Sequence, residues 1–276
     1  MKVWALRTVF RTFGSIAPDM TARWAETIFC TPPRREPPAG EEEFIATGQR
    51  FTVRSEGQEL AAWSWGTGPA VLLAHGWGSR AGRFGAMTAA LVDAGFRAVA
   101  HDAPAHGQST GRFASLPEFA RALRAVADEV GEVYGVVGHS LGGAAACVAL
   151  ANGLEARRAV LIAPPADVQQ FSRDFGDYLR IPAPTRQVMR RNLEARLGVR
   201  WEDLDIAALA RGLPIPALVV HDREDDEVPF AHGEEIARAF PGGTLVATTG
   251  LGHRAILRDP EVVRQAVAFL REGAGA

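Results

Sequence analysis

Gly138-His139-Ser140-Leu141-Gly142 sets a serine between glycines, directly behind the apolar run Val133 to Val137 and ahead of an alanine-rich helical stretch. A chain that passes from strand to helix in so few residues forces the corner residue into a strained backbone conformation. Glycines on both sides leave room for that corner while the serine hydroxyl projects above the sheet. The first amides of the following helix and its dipole favour negative charge at the same place. The plain alternative is a serine that merely caps a helix. A hydroxyl is hardly ionised at neutral pH, so nucleophilic chemistry needs a base within hydrogen-bond reach and an acid to orient that base. Both are available downstream. The apolar run ending at His221 opens a loop holding Asp222, Asp225 and Asp226, and the run ending at Ala247 precedes Gly252-His253 and a last helix. Both loops follow strands, as the serine does, so the three groups would emerge at one edge of a sheet. His253 is the candidate base, and the three aspartates compete for the role of acid.

The elements that position these residues alternate from residue 50 onward. Short β-like runs at Phe51 to Arg54 and Glu59 to Trp65 flank a Gly57-Gln58 turn, and the almost wholly apolar Ala70 to Ala74 reads as a buried central strand. A helix near Arg80 to Asp93 follows, then a strand Arg97 to His101, a helix Leu116 to Val130, a strand Val133 to Val137 and a helix from Ser140. Strands Ala159 to Ala163 and Ala217 to His221, a helix Ala231 to Phe240, a strand Thr244 to Ala247 and a helix Glu261 to Leu270 complete the series. Such alternation predicts an α/β fold with a mostly parallel central sheet and helices on both faces. Pro164 to Pro214 breaks the rhythm, with helical stretches around Arg186 to Leu197 and Leu204 to Arg211. An insertion of that length is usually functional.

Ahead of this body, Trp4, Val9, Phe10 and Phe13 share one side of a predicted helix, with Lys2, Arg7 and Arg11 toward the other. Pro18-Asp19 opens a second short helix carrying Trp24, Ile28 and Phe29. This N-terminal helical hairpin either packs onto the rest of the protein or rests, as a basic amphipathic segment, on a membrane surface or a partner. Arg7 and Arg11, with no small-residue cleavage site after them, argue against a secretory signal. Thr31 to Glu43, with Pro32, Pro33, Pro37 and Pro38, reads as a linker unable to hold a regular helix or central strand. The expected division is therefore 1–43 as hairpin and Pro-rich linker and 44–276 as the main domain, with a helical cap at about 164–214.

With this serine motif and this order of serine, acid and histidine, the chain resembles the α/β-hydrolase superfamily from about residue 50 to 272. The elbow Gly-His-Ser-Leu-Gly-Gly is similar to that of esterases and monoacylglycerol lipases. The resemblance implies an α/β-hydrolase fold and a serine hydrolase that cleaves a carboxylic ester or thioester through an acyl-enzyme on Ser140. It selects Asp225 as the acid, because the family's acid stands three residues before a Val-Pro pair, here Val228-Pro229. It makes His253 the base and assigns the oxyanion to the backbone N–H groups of Leu141 and of Trp77, in His75-Gly76-Trp77-Gly78. No cofactor and no metal are called for, and His75, His106 and His139 read as structural. The cap would cover Ser140 and shape the acyl pocket with residues such as Phe171, Phe175, Leu193 and Leu197. Its arginines, Arg173, Arg180, Arg186, Arg190, Arg191 and Arg196, either favour an anionic acyl group or form a solvated face. Dehalogenase-like relatives carry Asp at the elbow, and Ser140 disfavours that chemistry. C–C or amide hydrolysis and cofactor-free perhydrolysis use the same triad and stay open. The reading from another class is a binding or scaffold protein that keeps the fold without catalysis, as some receptors do.

One rival motif needs weighing. Gly76-Trp77-Gly78-Ser79-Arg80-Ala81 with Asp102 imitates a dinucleotide-binding fingerprint. Its strand follows a hairpin instead of opening the fold, and nucleotide binding leaves Ser140, Asp225 and His253 unexplained. His101, His221 and His232 have no metal-ligand spacing and read as structural. The 276 residues, 47% hydrophobic and 22% charged, suit a folded domain. A net charge of −2 leaves no basic field to hold nucleic acid. Cys30 and Cys147 are too few and too far apart for a disulfide framework, which suits a reducing cytoplasm. No apolar run is long enough to span a membrane. The expected partner is a small-molecule ester or thioester and the expected location the cytoplasm, peripheral on a membrane if residues 1–30 bind one.

Overall fold

The computed structural model describes residues 3–34 and 36–272; Lys2 and residues 273–276, which the expectations above include, lie outside the described residues. Among the described residues eight strands, β1 (Gln49–Ser55), β2 (Gln58–Trp65), β3 (Ala70–Ala74), β4 (Arg97–His101), β5 (Val133–His139), β6 (Arg158–Ile162), β7 (Pro216–Asp222) and β8 (Gly242–Thr248), form one sheet. Their order is β1-β2-β4-β3-β5-β6-β7-β8. β1 with β2 and β2 with β4 are antiparallel, and every pair from β4 to β8 is parallel. The helices are α1 (Val3–Phe13), α2 (Pro18–Cys30), α3 (Ala39–Ala46), α4 (Gly85–Asp93), α5 (Leu116–Val130), α6 (Leu141–Ala151), α7 (Val168–Tyr178), α8 (Ala183–Leu197), α9 (Ile206–Arg211), α10 (Phe230–Ala239), α11 (Gly252–Ala255) and α12 (Pro260–Arg271).

β3 and β5 are buried along their whole lengths, as central strands covered on both faces must be. Alternate side chains leave the sheet on opposite faces. Leu72, Val99, Val136, Leu161 and Val219 enter one core with α5, α6, α9 and α10, while Leu73, Ala100, Val137, Ile162 and Val220 enter a second with α4 and α12. Each such leucine, isoleucine or valine stabilises the fold by about 1.5–3 kcal/mol relative to exposure. Helix starts follow their capping residues: Ser115 accepts from the Glu118 amide, Asp167 from Gln169 and Gln170, Asp205 from Ala208, and Asp259 from Glu261 and Val262. The α/β architecture expected from the alternation of strands and helices is present.

A third core lies apart from the sheet. Phe10, Ala22, Ala25 and Cys30 of the N-terminal hairpin pack with Leu179, Ile181, Val188, Met189 and Leu193 of the cap. Polar contacts join the same two segments. Thr185 Oγ1 donates to the Gly14 carbonyl at 2.6 Å and lies 3.1 Å from Thr21 Oγ1, and Asn192 Nδ2 donates to Glu26 Oε1 at 2.8 Å. Arg7 donates to the Tyr178 carbonyl at 2.6 Å. The hairpin and the cap are thus two halves of one roof.

Three local expectations need correction. Trp4 and Phe13 do not join Phe10 in the interior but are 68% and 51% exposed. At 3.6 residues per turn, Trp4 sits about 120° around the helix from Phe10. The stretch read as a linker ends in a helix, because all four prolines precede Ala39. α3 starts right after Pro38, with Glu41 and Glu42 in its first turn where the dipole favours them, and Phe44 stacks on Trp65 with ring centroids 4.8 Å apart. In the cap, α7 was not foreseen, although Asp167 caps it and Val168, Phe171 and Phe175 recur at helical spacing.

Candidate active site

Ser140 holds φ 53° and ψ −126°, a positive φ that only a constrained non-glycine residue keeps. Its amide donates to the Ile162 carbonyl at 2.9 Å, which ties the corner to β6. Close approach explains the glycines. A Cβ on Gly142 would stand 2.1 Å from the Ala74 carbonyl oxygen, and one on Gly138 would stand 2.6 Å from that of Gly142. α6 begins at Leu141, so its first amide has no carbonyl one turn back to bond and remains open to an anion.

The candidate acid and base meet across the ends of β7 and β8. His253 Nδ1 lies 2.8 Å from Asp225 Oδ2, with the Asp225 side chain fully buried and that of His253 nearly so. Asp225 Oδ1 accepts from the amides of Glu227 and Val228 at 2.9 and 2.8 Å. Burial alone would raise this carboxyl, but contacts from His221, His253 and the Val228 amide hold it well below the usual carboxylate range. Asp222 is spent elsewhere, accepting from the Glu224 and Leu251 amides and from the Thr248 hydroxyl, and Asp226 is exposed. With Nδ1 turned to Asp225, Nε2 is the nitrogen of His253 left for a reacting group.

Two further histidines touch this pair. His221 Nε2 lies 3.3 Å from the same Asp225 Oδ2 and 2.9 Å from the Val228 carbonyl, so one N–H is shared between them. In the sequence His221 has no metal-ligand spacing and reads as structural. Its position four residues ahead of Asp225, at the strand end, was the available signal. His139 Nε2 donates to the His253 carbonyl at 2.8 Å.

The turn after β3 lies against the serine. A Cβ on Gly76 would fall 2.8 Å from Ser140 Cβ and 3.2 Å from its Oγ, so only glycine brings this backbone so near. Trp77 follows, its ring packed against His106 and Phe119. His75 and His106 hold the turn as neutral rings. His75 Nδ1 donates to the Gly76 carbonyl while Nε2 accepts from the Ala103 amide, and His106 Nδ1 donates to the Pro104 carbonyl while Nε2 accepts from the Gly78 amide. Burial, and then the neighbouring His106, pushes His75 well below the ordinary histidine range; burial lowers His106 to about 4.

Ser140, Leu141, His253 and Trp77 line one cavity of about 660 Å³, the size of a small-molecule site. Its roof comes from both the cap and the N-terminal segment. Arg80 and Arg83, both beside Glu41, and Arg254, beside Glu227, give it a charged side. Among the described residues none of the cap arginines lines it. Arg173 pairs with Asp167, Arg186 with Asp177, Arg190 with Glu194 and Glu202, and Arg191 with Asp19. Four of the six cap arginines are thus in ion pairs at the solvent-facing side of the cap.

The model of the alpha/beta hydrolase family matches residues 71–266, and the chain belongs to that family. It is 27% identical over 252 residues to a non-heme haloperoxidase of Rhodococcus erythropolis, covering 74% of this chain and 92% of the relative. It is 25% identical over 273 residues to a bifunctional esterase/perhydrolase of Acinetobacter calcoaceticus, covering 80% and 99%. Among solved structures, an esterase from Pyrococcus furiosus superposes with a TM-score of 0.68 at 18% identity, covering 88% of this chain and 98% of that one.

Proposed function

We propose that the protein hydrolyses a carboxylic ester, or a thioester, through an acyl-enzyme on Ser140. The observation that carries this reading is the 2.8 Å contact of His253 Nδ1 with Asp225 Oδ2 in a cavity that the strained Ser140 also lines. His253 Nε2 takes the hydroxyl proton as Ser140 Oγ attacks the acyl carbonyl, then returns it to the leaving alcohol or thiol. Asp225 holds the imidazole tautomer and stabilises the imidazolium. The backbone N–H groups of Trp77 and Leu141 receive the oxyanion, each contributing about 3–4 kcal/mol of barrier lowering in comparable sites. Water, deprotonated by His253, then releases the acid and regenerates the serine.

A second acceptor is hydrogen peroxide, which would release a peracid from the same acyl-enzyme with no change of redox state at the protein. The haloperoxidase and perhydrolase names of the relatives favour testing it.

The experiment is a panel of p-nitrophenyl esters and acyl-CoA thioesters, run on the wild type and on Ser140→Ala, with peracid assayed when peroxide is added. Turnover lost in the variant supports the reading. A folded wild type inert on every ester and thioester, and unlabelled by a fluorophosphonate probe, would overturn it in favour of a binding protein.

A further inference from the structure

Part of the apolar side of the cavity is built by residues ahead of the segment that the family model matches. Ile28 and Phe29 of α2 line it together with Phe175 of α7 and Leu193 and Leu197 of α8. Phe29 and Phe175 meet directly, with ring centroids 5.0 Å apart. Ile28, Phe29, Phe175 and Leu197 fringe the roof core without being fully buried, so each packs on that core and keeps part of its surface open. A serine and a histidine with charged neighbours on one side and five apolar side chains on the other make an amphiphilic cavity.

We infer that the N-terminal hairpin forms one wall of an acyl-chain site, and that Phe29 with Phe175 sets the preference for longer apolar acyl groups over acetyl. The inference rests on the ester-hydrolase reading for its kinetic test but not for its binding test. α2 is held in place by Asn192 on Glu26 and Thr185 on Thr21, so its inner face is a fixed wall. Each methylene covered by such a wall favours binding by roughly fourfold, and a chain of several methylenes multiplies that preference.

The test compares kcat/KM on p-nitrophenyl octanoate and acetate for the wild type, Phe29→Ala and Trp4→Ala, the last altering the same hairpin on its exposed side. In parallel, decanoate is titrated calorimetrically into Ser140→Ala with and without Phe29→Ala. The expected result is at least a tenfold fall in the octanoate-to-acetate ratio and in decanoate affinity for Phe29→Ala, with Trp4→Ala within twofold of wild type. A ratio and an affinity both within twofold of their parents in a Phe29→Ala protein of unchanged melting behaviour would overturn the inference, as would an equal fall in Trp4→Ala. A wild type inert on esters whose Ser140→Ala form still binds decanoate through Phe29 would overturn the esterase reading and leave the chain site standing.

Discussion

His139 and His253 are joined twice: His139 Nε2 donates to the His253 carbonyl at 2.8 Å, and the two rings lie with centroids 4.9 Å apart. The residue beside Ser140 thereby fixes the backbone of His253. Removing the donor in His139→Ala is expected to lower kcat/KM by roughly fivefold, the rate equivalent of about 1 kcal/mol for one lost hydrogen bond. His139→Gln, which offers an amide N–H at similar reach, should recover most of the loss. Equal activity of the alanine variant and wild type on the best ester would show that the contact does not position His253.

Asp225→Asn should keep the fold and lose about 10⁴-fold in kcat, because the amide stabilises the wrong imidazole tautomer. Asp222→Asn is the contrast. Its partners are amides and the Thr248 hydroxyl, so it should cost stability more than rate. Steady-state kinetics and thermal melts of both variants decide the assignment, and a larger rate loss at Asp222 would reverse it.

Two glycines separate fold from site. A Cβ on Gly142 would meet backbone, the Ala74 carbonyl oxygen at 2.1 Å, so Gly142→Ala should lose about 1–3 kcal/mol of stability or fail to fold. The Cβ of Gly76→Ala would instead meet Ser140. A displacement of about 1 Å at a nucleophile costs on the order of 10²-fold in rate, so this variant should stay folded and turn over slowly. Urea denaturation alongside ester kinetics reads both effects. A fully active Gly76→Ala enzyme would contradict the geometry of the turn.

Acid should destabilise the protein well before its carboxylates titrate. Burial lowers His101, His106 and His139 to about 4, and holds His75 well below the ordinary histidine range. The unfolded chain protonates these rings near pH 6.5, whereas the folded chain resists until about pH 4. Their stabilisation is therefore fully present above pH 6.5 and lost as pH falls toward 4, at roughly 1 kcal/mol per pH unit for each ring. Chemical denaturation from pH 8 to 4.5 should show a level region followed by a steep decline. Constant stability across that range would mean that the rings protonate as readily in the folded protein as in the unfolded chain.

The parallel core was legible because its strands have no polar face to hide. Ala70 to Ala74 and Val133 to Val137 are apolar throughout, and a continuous apolar run bounded by turns can hardly be an edge. The nucleophile corner was legible for a different reason, since Gly138 and Gly142 have backbone where a Cβ would stand. What escaped reading depended on partners distant in the chain. The outward turn of Trp4 follows from which side of α1 meets the cap, and α7 hides its spacing of Phe171 and Phe175 inside a proline-flanked insertion. His221 gains its contact with Asp225 only because the loop after β7 curls back through Val228.

The roof also dictates an order of assembly. Thr21 and Thr185 are 164 residues apart in the chain, and Gly14 and Thr185 are 171 apart. During synthesis the hairpin emerges before the cap, with Phe10, Ala22 and Ala25 uncovered, and the helices that cover them are translated only after β6. Contacts of such long range close late, because the intervening chain must be ordered first. A segment made before the sheet is thus among the last to find its place, and the cavity above Ser140 exists only once both ends of that wait have met.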